Sequence, residues 1–355
     1  MGVRFAHPQP VIVFKQPFHE RVEPATTEPR LVCAQGDIVL VWSVGQVIYC
    51  ATSQDGIRWD DPQRICLERE PLMKPLYIQS CQRTVHLIWQ SGDRAIRYTH
   101  SRDGGRRWDQ PRTLHWRNRT DPERDELNGF ALWQNNLYIS WNVSVISNQE
   151  NPRDPRPPYG MFSRNGGNDW KSLNSPIPHE IVALDERILV GQIRGEEWLS
   201  EDKALTWNLV KERDRPVPPE DHRHIWFGGE HVTYYMGLTS QHELNFRASV
   251  DAGKRWLQTQ TLAKLPELEG SAQTFLTFAE HDRIWAALVS SEEGKQFLFT
   301  SGRRGESISR YDLSKLLAGS SGWPTLTTNG RAAVLAWWHP SQQQLSLQAT
   351  AILIK

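Results

Sequence analysis

Ser101-Arg-Asp103-Gly-Gly105-Arg-Arg-Trp108 is the stretch on which the fold turns, because the chain writes it more than once. The same Ser-x-Asp-x-Gly-x-x-Trp pattern returns at Ser163-Arg-Asn165-Gly-Gly167-Asn-Asp-Trp170 and at Ser249-Val-Asp251-Ala-Gly253-Lys-Arg-Trp256. Shortened or altered copies stand at Ser53-Gln-Asp55-Gly56-Ile-Arg-Trp59 and Ser200-Glu-Asp202-Lys-Ala204-Leu-Thr-Trp207, with a trace at Ser301-Gly-Arg303-Arg-Gly305. Copies in sequence order mark a repeat, and a repeat is a unit that buries its apolar face against its neighbours.

Each copy follows a short β-rich run: Val47–Thr52, Ile96–His100, Tyr159–Phe162, Leu244–Ala248 and Gln296–Thr300. Another strand lies upstream of each, at Ile38–Trp42, Val85–Trp89, Leu137–Trp141, Ile188–Gly191, Val232–Met236 and Ile284–Leu288. A last pair, Ala332–Trp337 and Leu345–Thr350, ends the chain without a box. Helix signals are nearly absent, the best being Asp312-Leu-Ser-Lys-Leu-Leu before Gly319. Short strands, turn residues and a period of roughly 50 residues describe an all-β chain, a β-propeller of four-stranded antiparallel blades. Counting gives seven blades, with six as the alternative if the first unit is not a blade. The run Val11–Lys15, within a strand over about residues 10–16, is free to complete the last blade and remove an open edge. The expectation is one propeller domain over residues 1–355.

In this scheme the box is the turn between the third and fourth strands of a blade. Its carboxylate accepts backbone N–H groups, its glycine takes a left-handed conformation, and its Trp buries a large apolar face. Asp55, Trp59, Asp103, Trp108, Asn165, Trp170, Asp202, Trp207, Asp251 and Trp256 are therefore read as structural.

Charge and composition exclude several functions. With 41 Lys+Arg against 41 Asp+Glu the chain has no net charge, so nothing draws it to nucleic acid or to an anionic membrane. The N-terminus reads as lacking a secretory leader and no stretch reaches the ~18 apolar residues of a span, which points to a soluble cytoplasmic protein. Cys33, Cys50, Cys66 and Cys81 form no zinc-type cluster; a Cys50–Cys66 link is open, with free thiols preferred. No metal and no cofactor is expected.

The repeat resembles the Asp-box, or bacterial neuraminidase repeat, and from about residue 30 to 339 the chain looks like the sialidase superfamily. That resemblance implies an Arg triad for a sugar carboxylate, an Asp acid/base and a Tyr nucleophile activated by Glu. Aligned on the loop before Ser163, Pro75 falls on the proline of the Arg-x-Pro motif, but Met73 holds the arginine position, with Lys74 beside it. The acid falls near Leu127 and Asn128, next to Glu126. Glu180 matches the Glu partner and Arg194 the second arginine, while the third falls near Met236. Glu269-Gly-Ser-Ala-Gln273 resembles the stretch that opens the next blade, and Trp323 stands where the Tyr motif begins. The set is degenerate. Met and Lys do not replace the guanidinium fork, so sialic-acid hydrolysis is not expected.

Three long charged loops, 117–126, 148–156 and 211–224, should gather at the end of the blades opposite the boxes. Another glycosidase needs only two carboxylates, ~5–5.5 or ~6.5–9.5 Å apart, and the catalytic candidates are Glu180, Glu126, Asp125 and Asp154. Arg194, Arg153, Arg156, Trp141, Asn142, Glu220, Asp221, His222, Arg223 and Trp323 are the candidates for substrate contact. Trp42, Trp89, Trp141, Trp337 and Trp338, which end second strands, serve either sugar stacking or packing between blades. The reading that follows is a sialidase-like propeller that binds or hydrolyses a carbohydrate or glycoconjugate. A non-catalytic scaffold gripping a protein partner is the alternative, and an intact exo-sialidase the third.

Overall fold

The structure, a computed structural model, describes residues 10–17, 26–72, 76–118, 123–145, 159–173, 178–183, 189–193, 196–210, 221–228, 233–239, 241–249, 257–268, 274–281, 284–291, 293–301, 308–341 and 344–354. Among them there are 28 strands, a 3₁₀ turn at Pro266–Leu268 and no α-helix. The stretch after Asp312 makes a single turn: Asp312 Oδ1 accepts Ser314 N–H (2.9 Å), and Leu317 N–H reaches Leu313 O (3.0 Å). No helix of the described residues is long and apolar enough to cross a membrane.

All 28 strands fall into seven antiparallel four-stranded sheets. The chain divides into two compact units. The first comprises residues 1–67, 103–107 and 271–355. One of its sheets is β2 (Arg30–Ala34), β3 (Asp37–Val44), β4 (Val47–Ser53) and β5 (Gln63–Leu67). A second is β22 (Thr274–His281), β23 (Ile284–Ser291), β24 (Gln296–Ser301) and β25 (Ile308–Asp312). The third joins β26 (Ser321–Thr328), β27 (Ala332–Pro340) and β28 (Gln344–Leu353) to the N-terminal β1 (Val11–Pro17), which pairs antiparallel with β28.

The second unit, residues 68–102 and 108–270, carries four sheets. They are β6–β9 (Tyr77–Cys81, Thr84–Ser91, Ala95–Ser101, Arg112–Trp116) and β10–β13 (Glu123–Trp133, Asn136–Val145, Tyr159–Ser163, Lys171–Ser172). The others are β14–β17 (His179–Ala183, Leu189–Ile193, Glu196–Ser200, Asn208–Leu209) and β18–β21 (Asp221–Gly228, Thr233–Thr239, Glu243–Ser249, Gln260–Lys264).

Within each unit, successive sheets bury each other's faces. Leu31, Ile38, Leu40 and Trp42 pack with Val334, Ala336, Trp338 and Leu347. In the second unit Ile88, Ile96 and Tyr98 pack with Leu127, Phe130, Ile139 and Trp141. Second strands such as β3 and β7 are covered on both faces, so they read as near-continuous apolar runs. This explains the Trp at their ends. Trp42, Trp89 and Trp337 have no exposed surface, and Trp141 and Trp338 are 4% and 3% exposed. They are packing residues: each buried ring removes about 200 Å² from water, an upper bound near 5 kcal/mol. No disulfide joins the four cysteines, and Cys50 pairs across the ladder with Gln63 rather than Cys66. Burial pushes the Cys33 thiol up to about 11.

The repeated turns share one hydrogen-bond scheme. At residues 53–59, Ser53 Oγ accepts Gly56 N–H (2.8 Å), Asp55 Oδ1 accepts Ile57 and Arg58 N–H (2.8 Å each), and the Trp59 indole donates to Gly56 O (3.2 Å). These bonds, the one from Arg58 first, hold the Asp55 carboxyl below its ordinary value. Asp103 accepts Arg107 N–H (2.8 Å), Asn165 accepts Asp169 N–H (2.9 Å), and Asp202 accepts Thr206 N–H (2.8 Å). Trp108 is half-buried and Trp207 is buried. Asp251 and Trp256 lie outside the described residues.

Asn165 is the one position in this set without a carboxylate, and its neighbour explains it. Its Nδ2 donates to Asp169 Oδ2 (2.8 Å), where the other turns put Arg58, Arg107 or Thr206. Asn165→Asp is expected to cost about 1 kcal/mol by setting two carboxylates together. In urea unfolding, Asp169→Arg in the same chain should restore most of that loss; an additive double variant would refute the pairing.

Candidate functional site

The sheet β10–β13 fixes the geometry of the candidate site. Its β12–β13 turn, 163–170, lies beside the β10–β11 hairpin, with Gly166 N–H donating to Asn135 O (2.9 Å). Glu123 to Leu127 and Trp141 to Val145 pair at the far end of the ladder, and Tyr159 stands opposite Trp141. Asp125, Glu126, Trp141 and Asn142 therefore share the end remote from the turn, and Glu126 and Asn142 are direct partners. The ladder slips between Leu127 and Gly129, a bulge that re-aims the residues around it.

Asp125 is the centre of this end. Its side chain has no exposed surface. Arg117 Nε and Nη2 both donate to its Oδ1 (3.2 and 3.0 Å), while Arg117 Nη1 donates to Glu123 Oε2. Gln90 braces the backbone, donating to Asp125 O (2.7 Å) and accepting Leu127 N–H (3.1 Å). The other carboxylate oxygen, Oδ2, lies 3.2 Å from His115 Nε2, close enough for an ion pair but not aligned as a hydrogen bond. The His115 ring lies 5.0 Å from Trp141, whose other neighbour is Tyr159 at 6.2 Å in a stacked pair. Asp125 and Trp141 thus meet solvent through their neighbours, His115 (28% exposed side chain) and Tyr159 (42%).

A second buried carboxylate, Glu68, stands ahead of β6 in the preceding sheet. Glu68 accepts the Trp89 indole N–H (3.1 Å), the Ser91 hydroxyl (2.8 Å) and Arg97 Nε (3.3 Å). With these partners it is a fastening for the β7 end rather than an open acid.

The remaining candidates are dispersed. Glu180 is in β14, and Asp221, His222 and Arg223 open β18, but their side chains are outside the described residues. Asp154, Arg153, Arg156, Arg194, Glu220, Met73, Lys74, Pro75 and Glu269 lie wholly outside them. Trp323 belongs to the first unit, half-buried in β26, and Met236 is fully buried in β19. Sequence reasoning missed His115, Glu123 and Tyr159. Among the described residues no group of three or more His, Cys, Asp or Glu is placed to hold a metal ion.

No protein-family model matches the chain, and no curated protein matches it in sequence. Solved structures similar to it include a protein of unknown function from Dyadobacter fermentans, 11% identical over 98% of this chain and 99% of that one, TM-score 0.48. Trypanosoma rangeli sialidase is 12% identical over 97% of this chain, TM-score 0.49, and the match spans 59% of the sialidase. A fucose-specific lectin from Aleuria aurantia is 10% identical over 81% of this chain and 94% of the lectin, TM-score 0.46.

Proposed function

We propose that the chain is a seven-bladed β-propeller of the Asp-box type, with a degenerate sialidase set, that binds or hydrolyses a carbohydrate at the sheet ends remote from the turns. The Ser-x-Asp turns are structural in this reading, since their carboxylates are spent on their own backbone. One observation carries the reading: a buried Asp125, fixed by Arg117, stands behind His115 at the edge of an aromatic stack that ends in the exposed ring of Tyr159. The imidazole of His115, with this carboxylate 3.2 Å behind it, can donate a hydrogen bond to a ligand hydroxyl or accept one from it. An exposed aromatic face takes the C–H face of a sugar, while Glu126 and Asn142 supply polar groups beside it. Asp125 acts through His115 and Arg117, and Tyr159 rather than Trp141 is the stacking surface.

A glycan array and a panel of aryl glycosides test this. We expect binding or cleavage that falls at least tenfold in His115→Ala and in Tyr159→Ala, with urea midpoints near that of the parent. Silence on both array and panel would sink the proposal. Cleavage of a fluorogenic sialoside that is lost in Glu180→Gln would replace it with an intact sialidase.

A further inference from the structure

The turn-bearing side of the second unit has a cavity of its own. A groove of about 460 Å³ is lined by His100, Asp109, Gln110, Pro111, Arg112 and Asn168, a size within the ~300–1,000 Å³ of small-molecule sites. His100 and Asp109 bracket the turn after β8, Arg112 begins β9, and Asn168 comes from the 163–170 turn.

The polar groups of the walls divide into spent and unspent. Asn168 is spent: its Oδ1 accepts Arg102 Nη2 (3.3 Å) and its Nδ2 donates to Asn165 O (2.6 Å). Arg112 gives two donors to Asn168 O (2.9 Å) and Gly167 O, with its guanidinium 5.4 Å above the Tyr98 ring. That fixes the guanidinium and leaves N–H groups in its plane. Asp109 turns one carboxylate oxygen to His100 Nε2 (3.2 Å), yet its side chain is 59% exposed. Gln110 is exposed. His100 itself is buried, and its Nε2 accepts from Arg102 Nε (3.1 Å). That assignment puts the ring proton on Nδ1, which has no hydrogen-bond partner among the described residues.

We infer that this groove is a second ligand site, for a neutral polyhydroxylated molecule the size of one pyranose. Charge chooses the class. An anion drawn to Arg102 and Arg112 would meet Asp109, and a cation drawn to Asp109 would meet both arginines. A neutral ligand with adjacent hydroxyls satisfies both walls: one O–H donates to Asp109 while its neighbour accepts from Arg112. Gln110 adds one donor and one acceptor. The site lies at the turn end of its sheets, away from His115 and Tyr159, and does not rest on the function proposed above.

Saturation-transfer NMR with the methyl glycosides of glucose, galactose, mannose, fucose and N-acetylglucosamine tests it on the full chain. At least one glycoside should show transfer, with its Kd weakened tenfold or more in both Gln110→Ala and Asp109→Asn and unchanged in His115→Ala. The exposed Gln110 side chain can be removed without unfolding the chain, and a urea midpoint verifies this. No transfer from any glycoside overturns the inference, as does transfer that survives both groove substitutions. Loss in His115→Ala alone assigns the signal to the other end of the sheets. Competition by inorganic phosphate or by methylammonium at equal concentration refutes the neutral class.

Discussion

Gly167→Ala is expected to destabilise the chain by about 2–5 kcal/mol, backbone strain and overpacking together. A Cβ built there stands 1.9 Å from Tyr98 Oη, 2.4 Å from Cζ and 2.9 Å from Cε1. The tyrosine cannot retreat. Its ring is fully buried, stacked with His86 and His100, and its hydroxyl is held by His86 Nδ1 (2.9 Å) and Gly166 O (3.3 Å). Residue 167 also has φ 81°, where an L side chain costs about 1–2 kcal/mol before any clash, and overpacking adds about 1–3 kcal/mol. Urea unfolding measures the sum. Tyr98→Ala in the same chain should make the second loss much smaller than in the parent, because the clash is gone. A cost below about 1 kcal/mol for Gly167→Ala would mean that the turn does not seat on Tyr98.

The other turns show that the constraint comes from the surface beneath. Gly56 and Gly105 occupy the same slot, and a Cβ would meet Val334 at 2.6 Å and Val39 at 2.8 Å. The fourth turn carries Ala204 there instead, at φ 66°, fully buried beside Ala131 and Tyr138. A methyl is accommodated where the underlying sheet leaves room for it, and the backbone strain is then offset by apolar burial.

This contrast also explains what was legible in the sequence. The turns could be read because one physical slot recurs, so Ser, Asp or Asn, Gly and Trp return at fixed spacing, and the strands around them alternate in step. Even the Asn at 165 carries its reason four residues later, in Asp169. The candidate site could be read only in part. Asp125, Glu126, Trp141 and Asn142 lie on consecutive strands, and their charge and aromaticity stood out. Their partners come from elsewhere: His115 from β9 and Arg117 from just after it, Gln90 from β7, Tyr159 from β12. No local period marks which histidine will face which carboxylate. Exposure was equally illegible: Trp141 is packed into a core cluster with residues of the preceding sheet, while Tyr159, opposite it on the ladder, is exposed. The groove beside His100 needed two turns from different sheets, each of which alone reads as structural.

Acid is expected to weaken the chain steeply below pH 6.5, through the same buried cluster that constrains Gly167. His86 is 1% exposed and its ring is held down to a pKa of about 3, first by burial and then by the neighbouring His100. His100 is shifted the same way, by burial first, with Asp109 pulling against Arg102 and Arg112. Each histidine is neutral in the folded chain over a range in which the unfolded chain binds a proton, so the unfolded state gains protons as pH falls. The stability that depends on neutral His86 is complete above its unfolded value near 6.5 and drains as pH drops toward 3, at about 1.4 kcal/mol per unit. Over that window His86 alone removes roughly 5 kcal/mol at most, a large part of a typical folding free energy. Urea midpoints from pH 7.5 to 4 should therefore fall with a slope that His86→Phe flattens. The phenylalanine variant should start lower at neutral pH, because Tyr98 Oη loses one hydrogen bond, and its curve should cross that of the parent in acid. Parallel curves would mean that acid unfolds the chain through its carboxylates, and that the His86–Tyr98–His100 stack tolerates a charge.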